Sequence, residues 1–89
     1  MSDGSIRAVV EVLAKALTDR PNEVHVTETE QRGATLVELY VGAGEIGRVV
    51  GKQGRTAAAL RTLASAAGEK AGRTVTLEIR DTPFDSLKR

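Results

Sequence analysis

Eighty-nine residues without cysteine, at a formal net charge of +1, describe one small domain with no disulfides and no thiolate chemistry. So balanced a charge excludes a surface that coats nucleic acid all over, and leaves room only for a local anion site. The chain shows neither a secretory leader nor an apolar run of about 18 residues, so a cytoplasmic location is expected.

The first expected helix runs from about Ser5 to Asp19, with Ile6, Val9, Val10, Leu13 and Leu17 spaced as one buried stripe. Asp3 or Ser5 is placed to cap it, and Pro21 turns the chain out of helix. Residues 23–31 then alternate, Val24 and Val26 on one face, His25 and Thr27 on the other. Thr35 to Val41 alternates too, with Val37, Leu39 and Val41 opposite Leu36, Glu38 and Tyr40. Arg32-Gly33 between them is a turn, which makes the two strands a hairpin.

Gly42-Ala43-Gly44 ends the second strand, and a short helix of about Glu45 to Val50 follows. After the Gly51–Gly54 loop comes a long helix from Arg55 to about Ala71, rich in alanine, with Leu60 and Leu63 its only large apolar residues. Gly68 costs about 1 kcal/mol against alanine inside a helix, which makes it a second candidate end besides Gly72. The last strand, about Arg73 to Arg80, turns Val75, Leu77 and Ile79 inward and stops before Pro83. Residues 81–89 form a tail whose Phe84 and Leu87 are candidates for docking.

The order helix-strand-strand-helix-helix-strand predicts an α+β fold with helices on one face of a three-stranded mixed sheet. Joining the second strand to the last through two helices makes those strands parallel neighbours with a right-handed connection. The first strand then pairs antiparallel on the other side.

From Ile46 to Gly68 the chain carries four cations (Arg48, Lys52, Arg55, Arg61) and no acid, inside an otherwise acidic sequence. Three phosphate-binding readings compete for the glycines there. Gly42-Ala43-Gly44-Glu45-Ile46-Gly47 matches a dinucleotide fingerprint, but Gly51 interrupts the helix it opens and no acid is available until Glu69 to hold a ribose. A P-loop needs glycine at Ile46 and Ser or Thr at Gln53, so that reading fails. A helix–GxxG–helix clamp fits: Gly51 and Gly54 let a sugar-phosphate backbone lie close, and the start of the Arg55 helix offers unpaired N–H groups. Lys52 supplies a charge and Gln53 a hydrogen bond. With only Tyr40 and Phe84 as aromatics, bases would lie on an aliphatic floor of Ile46, Val49, Val50 and Leu60 rather than stack.

The stretch Ile46-Gly47-Arg48-Val49-Val50-Gly51-Lys52-Gln53-Gly54-Arg55-Thr56 resembles the loop of a KH domain, and the element order resembles the type II form of that fold. Over about residues 5–80 the chain is similar to the small bacterial single-KH proteins of the KhpA type. The resemblance implies single-stranded RNA binding by those eleven residues, homodimerisation, and partnership with a second KH protein of the KhpB/Jag/EloR type. It also implies a role in post-transcriptional control of cell elongation and division. Thr56 and Ala57 depart from the isoleucine that many KH domains carry after the loop, which shrinks the groove floor.

Arg55 is the favoured extra phosphate contact because it opens the helix, Arg48 is an even choice, and Arg61 reads as a solubilising residue. His25 stands alone on a polar strand face without ligand spacing, and no nucleophile–base pair is readable, so neither a metal, a cofactor nor catalysis is expected. The alanine-rich helix either packs tightly on the sheet or meets its copy in a second subunit through Leu63, Ala59 and Ala67. The competing function classes are an RNA-binding module and a protein-interaction adaptor using the long helix, with a ribosome-associated factor as a further alternative.

Overall fold

The computed structural model describes residues 6–81; the caps expected at Asp3 or Ser5 and the tail with Phe84 and Leu87 lie outside them. The elements are α1 (Ile6–Leu17), a 3-10 turn (Pro21–Glu23), β1 (His25–Gln31), β2 (Ala34–Val41), α2 (Ile46–Val50), a second 3-10 turn (Lys52–Gly54), α3 (Arg55–Lys70) and β3 (Thr74–Asp81). They form a single sheet in the order β1-β2-β3, with β1 antiparallel and β3 parallel to β2. This is the α+β arrangement the element order predicts.

Along β2 the alternation sorts one face into the core: Thr35, Val37, Leu39 and Val41 are buried, and Leu36, Glu38 and Tyr40 on the other face are half-buried. Onto the inner face α1 packs Ile6, Val10 and Ala14, with Leu13 at the margin of the same cluster. Val9 and Leu17, expected in the stripe, sit at its rim, 37% and 38% exposed. Val9 lies about 60° around the helix from Ile6, at the edge of the buried line, and Leu17 is the last residue of the helix. On its charged flank Glu11 bridges Arg7 and Lys15 at 3.2 and 3.0 Å, pairs worth a few tenths of a kcal/mol each.

β1 starts two residues later than the alternation predicts. Pro21 has its φ fixed for a tight turn, and the N–H of Val24 donates to the Pro21 carbonyl at 3.2 Å, so Pro21–Glu23 closes as a 3-10 turn before His25. Val24 is nevertheless buried. The hairpin loop is Arg32-Gly33, with φ of 50° and 84°, between Gln31 and Ala34, which pair. Two successive left-handed residues make this a type I′ turn, whose twist matches that of the strands.

α3 passes through Gly68 without breaking. Its buried line is Ala57, Leu60, Ala64 and Gly68, so apart from Leu60 the helix meets the core through very small side chains. It ends in a Schellman motif: Arg73 N–H donates to the Gly68 carbonyl at 2.8 Å, Gly72 N–H to that of Glu69 at 3.0 Å, and Gly72 has φ of 75°. Arg73 then donates to the buried hydroxyl of Thr35 at 2.7 Å and pairs with Glu30, tying the start of β3 to the hairpin.

Candidate nucleic-acid interface

α2 is too short to hold itself, and its position comes from the acid that precedes it. Glu45 is buried, and its Oε1 accepts the Thr18 hydroxyl at 2.5 Å and the Asp19 N–H at 2.8 Å. Arg20 reaches the Ala43 carbonyl and lies 3.9 Å from Glu45 Oε2, and Arg48 Nε lies 3.7 Å from the same oxygen. The Thr18 hydroxyl bond and the Asp19 N–H, with the nearby charges of Arg20 and Arg48, hold the Glu45 carboxyl below the usual carboxylate range against the opposing effect of burial. The end of α1 is thus fastened to the start of α2. Sequence reasoning missed this role, because an acid opening a helix looks like an ordinary dipole complement.

At the other end of α2, Gly51 N–H donates to the Gly47 carbonyl at 2.9 Å and the chain then reverses. Gly51 has φ 77° and ψ 176°, a region only glycine occupies readily, and a β-carbon there would lie 2.3 Å from Thr56 Oγ1. Thr56, the departure from isoleucine, therefore packs against the first glycine of the loop. Lys52–Gly54 closes through Gly54 N–H to the Gly51 carbonyl at 3.1 Å, and Gln53 and Gly54 are both left-handed, which swings the chain into α3. No side chain caps the first turn of α3, and no acid stands in it.

Lys52, Gln53 and Arg55 are exposed, and Arg55 donates to the Gln53 amide oxygen at 2.8 Å. The other two cations of the acid-free stretch are engaged. Arg48 Nη2 lies 2.9 Å from Asp19 Oδ2, and Arg61 Nε donates to the Leu77 carbonyl of β3 at 3.2 Å. Among the described residues, Lys52 and Arg55 are the cations of this stretch without a carboxylate or backbone partner.

The aliphatic floor needs correction. Val49 is fully buried and Leu60 is 3% exposed, both within the hydrophobic core, so they support the floor from beneath instead of lining it. Helical spacing explains this: α2 needs one residue pointing at the sheet, and Val49 takes that position. Ile46 and Val50 are half-buried and remain as its surface, and Gly47 is exposed beside them.

The residues expected at a subunit contact divide. Leu63 is 48% exposed and Ala59 is exposed, whereas Ala67 is half-buried against the core. Leu63 lies about 200° around α3 from Arg61, whose side chain turns toward β3. On α1, Val9 and the 67% exposed Val12 are further exposed apolar side chains. Among the described residues, no cluster of three or more His, Asp or Glu is placed to hold a metal, and no helix is long and apolar enough to cross a membrane.

Residues 7–79 match the family model described as the KhpA/KhpB KH domain. The chain is 47% identical over 75 residues to the RNA-binding protein KhpA of Aquifex aeolicus, covering 84% of this chain and 95% of that protein. It is 42% identical to the protein of the same name from Clostridium perfringens, over 83% of this chain and 99% of the relative. The Treponema pallidum protein of that name is 42% identical, over 82% and 91%. No solved structure matches significantly.

Proposed function

Because this chain belongs to the KhpA/KhpB family of KH domains, we propose that it binds RNA and that the Gly51–Gly54 loop clamps a short single-stranded segment. One observation carries the reading: two exposed cations free of carboxylates, Lys52 and Arg55, flank bare glycine backbone at the uncapped start of α3. Phosphates would meet Lys52, Arg55 and the N–H groups of that first turn. Gly47, Gly51, Gly54 and Thr56 keep the backbone close, Gln53 offers a hydrogen bond, and Ile46 and Val50 carry the bases. Val49 acts by supporting this surface. The similar proteins from Aquifex aeolicus and Clostridium perfringens are RNA-binding proteins by name, which supports RNA over other anions.

The test changes Lys52 and Gln53 together to Asp. RNA affinity should be lost while the circular-dichroism spectrum and melting temperature stay close to those of the parent; undiminished affinity would sink the reading. The two free cations, Lys52 and Arg55, predict a salt slope at least as steep as about −1.4, at about −0.7 per neutralised single-strand phosphate.

The proposed assembly is a homodimer, or a pair with a second KH protein of the KhpB/Jag/EloR type, in cytoplasmic post-transcriptional control linked to cell elongation and division. Its support is the exposed apolar residues Ala59 and Leu63 of α3 and Val9 and Val12 of α1, together with the weak grip of one four-nucleotide site, which two linked sites would strengthen by avidity. Leu63→Glu should give a monomer by light scattering at micromolar concentration. The same exposed residues favour the adaptor reading if Leu63→Glu abolishes partner capture and leaves RNA affinity per domain untouched.

A further inference from the structure

Arg48 stands one helical turn, about 5 Å, before Gly51 on the segment that leads into the loop. It is held from two sides. The Glu45 carboxylate is committed, since its Oε1 takes both the Thr18 hydroxyl and the Asp19 N–H within a side chain only 10% exposed. The Asp19 carboxylate is different: its side chain is 65% exposed, it lies two residues beyond the end of α1, and it pairs with Arg48 at 2.9 Å. Arg48 is itself 56% exposed, so part of its guanidinium faces water beside the loop.

We infer that Asp19 is a positioning residue that sets how tightly the loop grips RNA, by occupying Arg48 until a phosphate displaces it. This inference rests on the RNA reading of the loop given above. Solvated ion pairs of this kind hold by at most about a fivefold factor, so a phosphate that also meets Lys52 and Arg55 can take Arg48 from Asp19 but not for free. The native pair thus holds the affinity below what the cation set allows. Glu45 keeps the Arg48 stem in place during the exchange, because its own bonds are to α1 and do not depend on Asp19's side chain.

The experiment measures binding of a fluorescent single-stranded RNA of mixed sequence to the full chain, by anisotropy at several salt concentrations. Asp19→Asn keeps the shape of the side chain and the backbone N–H to Glu45, and should tighten binding about two- to fivefold. The salt slope should change little, since Arg48 meets a phosphate in both complexes. In an Arg48→Gln background the same change should give no gain. Asp19→Ser repeats the test with a smaller side chain. Unchanged affinity in both Asp19 variants overturns the inference, and so does an equal gain with and without Arg48, since that would be a general charge effect. The double Asp loop variant, run with the same probe, separates the two readings. Retained binding there removes the loop reading, and lost binding there with a flat Asp19 response removes only the role given to Asp19.

Discussion

Gly68 and Val75 meet where no side chain fits between α3 and β3: a β-carbon on Gly68 would lie 2.3 Å from Val75 Cγ2 and 3.0 Å from the Arg73 carbonyl. Valine is stiff about χ1 and the carbonyl belongs to the Schellman turn, so neither neighbour yields cheaply. Gly68→Ala gains about 1 kcal/mol of helix propensity and loses more to overpacking, about 1–3 kcal/mol. The net expectation is a lower denaturation midpoint, partly restored by adding Val75→Ala. A Gly68→Ala protein more stable than the parent would show that α3 shifts freely on the sheet.

The two loop glycines should behave differently. Gly51→Ala places a methyl against Thr56 in a backbone region that only glycine enters readily, and is expected to cost about 1–3 kcal/mol. Gly54 has the ordinary left-handed conformation and open space around its β-position, so Gly54→Asn should cost less than about 1 kcal/mol. That variant separates stability from binding: it should melt near the parent yet hold RNA more weakly, because a side chain now stands where the strand's backbone would lie. Urea melts paired with RNA titrations check both halves.

Arg32 is held at φ 50° in the type I′ turn, a conformation that asparagine tolerates better than arginine. Arg32→Asn is expected to raise stability by about 0.5–1 kcal/mol, read as a higher urea midpoint at constant m-value. The RNA affinity should not move, since the turn joins β1 to β2 and Arg32 is absent from the loop. A loss of stability would mean that Arg32 makes a contact worth more than the strain.

Acid should loosen the joint between α1 and α2. The Glu45 carboxyl titrates below its ordinary range in the folded chain, chiefly through the Thr18 hydroxyl and the Asp19 N–H, so the unfolded chain binds more protons in between. Its stabilising effect is then complete above the unfolded value of about 4.3 and fades as the pH falls through the depressed one. In thermal melts from pH 7 to pH 3, Glu45→Gln should lie below the parent at neutral pH, with the gap closing below about pH 4. A gap that does not depend on pH would show that shape, rather than charge, is what Glu45 contributes.

Periodicity carried the fold. Val37, Leu39 and Val41 alternate because the sheet buries one face, and Arg32-Gly33 announces the turn between the first two strands. The loop was legible for a similar reason, since glycine spacing and an absence of acids are local features. What the spacing did not show was long-range. Arg48 reads as a free cation until α1 brings Asp19 beside it, and Val49 reads as groove floor until the sheet claims it. Gly68 reads as a helix end because its neighbour Val75 approaches only through the tertiary fold. Local chemistry says which groups are present; only the packed chain says which of them are already spoken for.

The parallel pairing of β2 with β3 has a consequence for how the protein comes into being. Ala34 pairs with Thr74, about forty residues further on, and the whole stretch from Ile46 to Thr56 lies inside the ring which that pairing closes. Long-range parallel pairing forms late, because the entropy of closing the ring must be met before any contact rewards it. A nascent chain that has not yet released residues 74–81 therefore displays the complete glycine motif without the frame that shapes it. A chain that stops before β3 therefore lacks the strand against which both α2 and α3 pack.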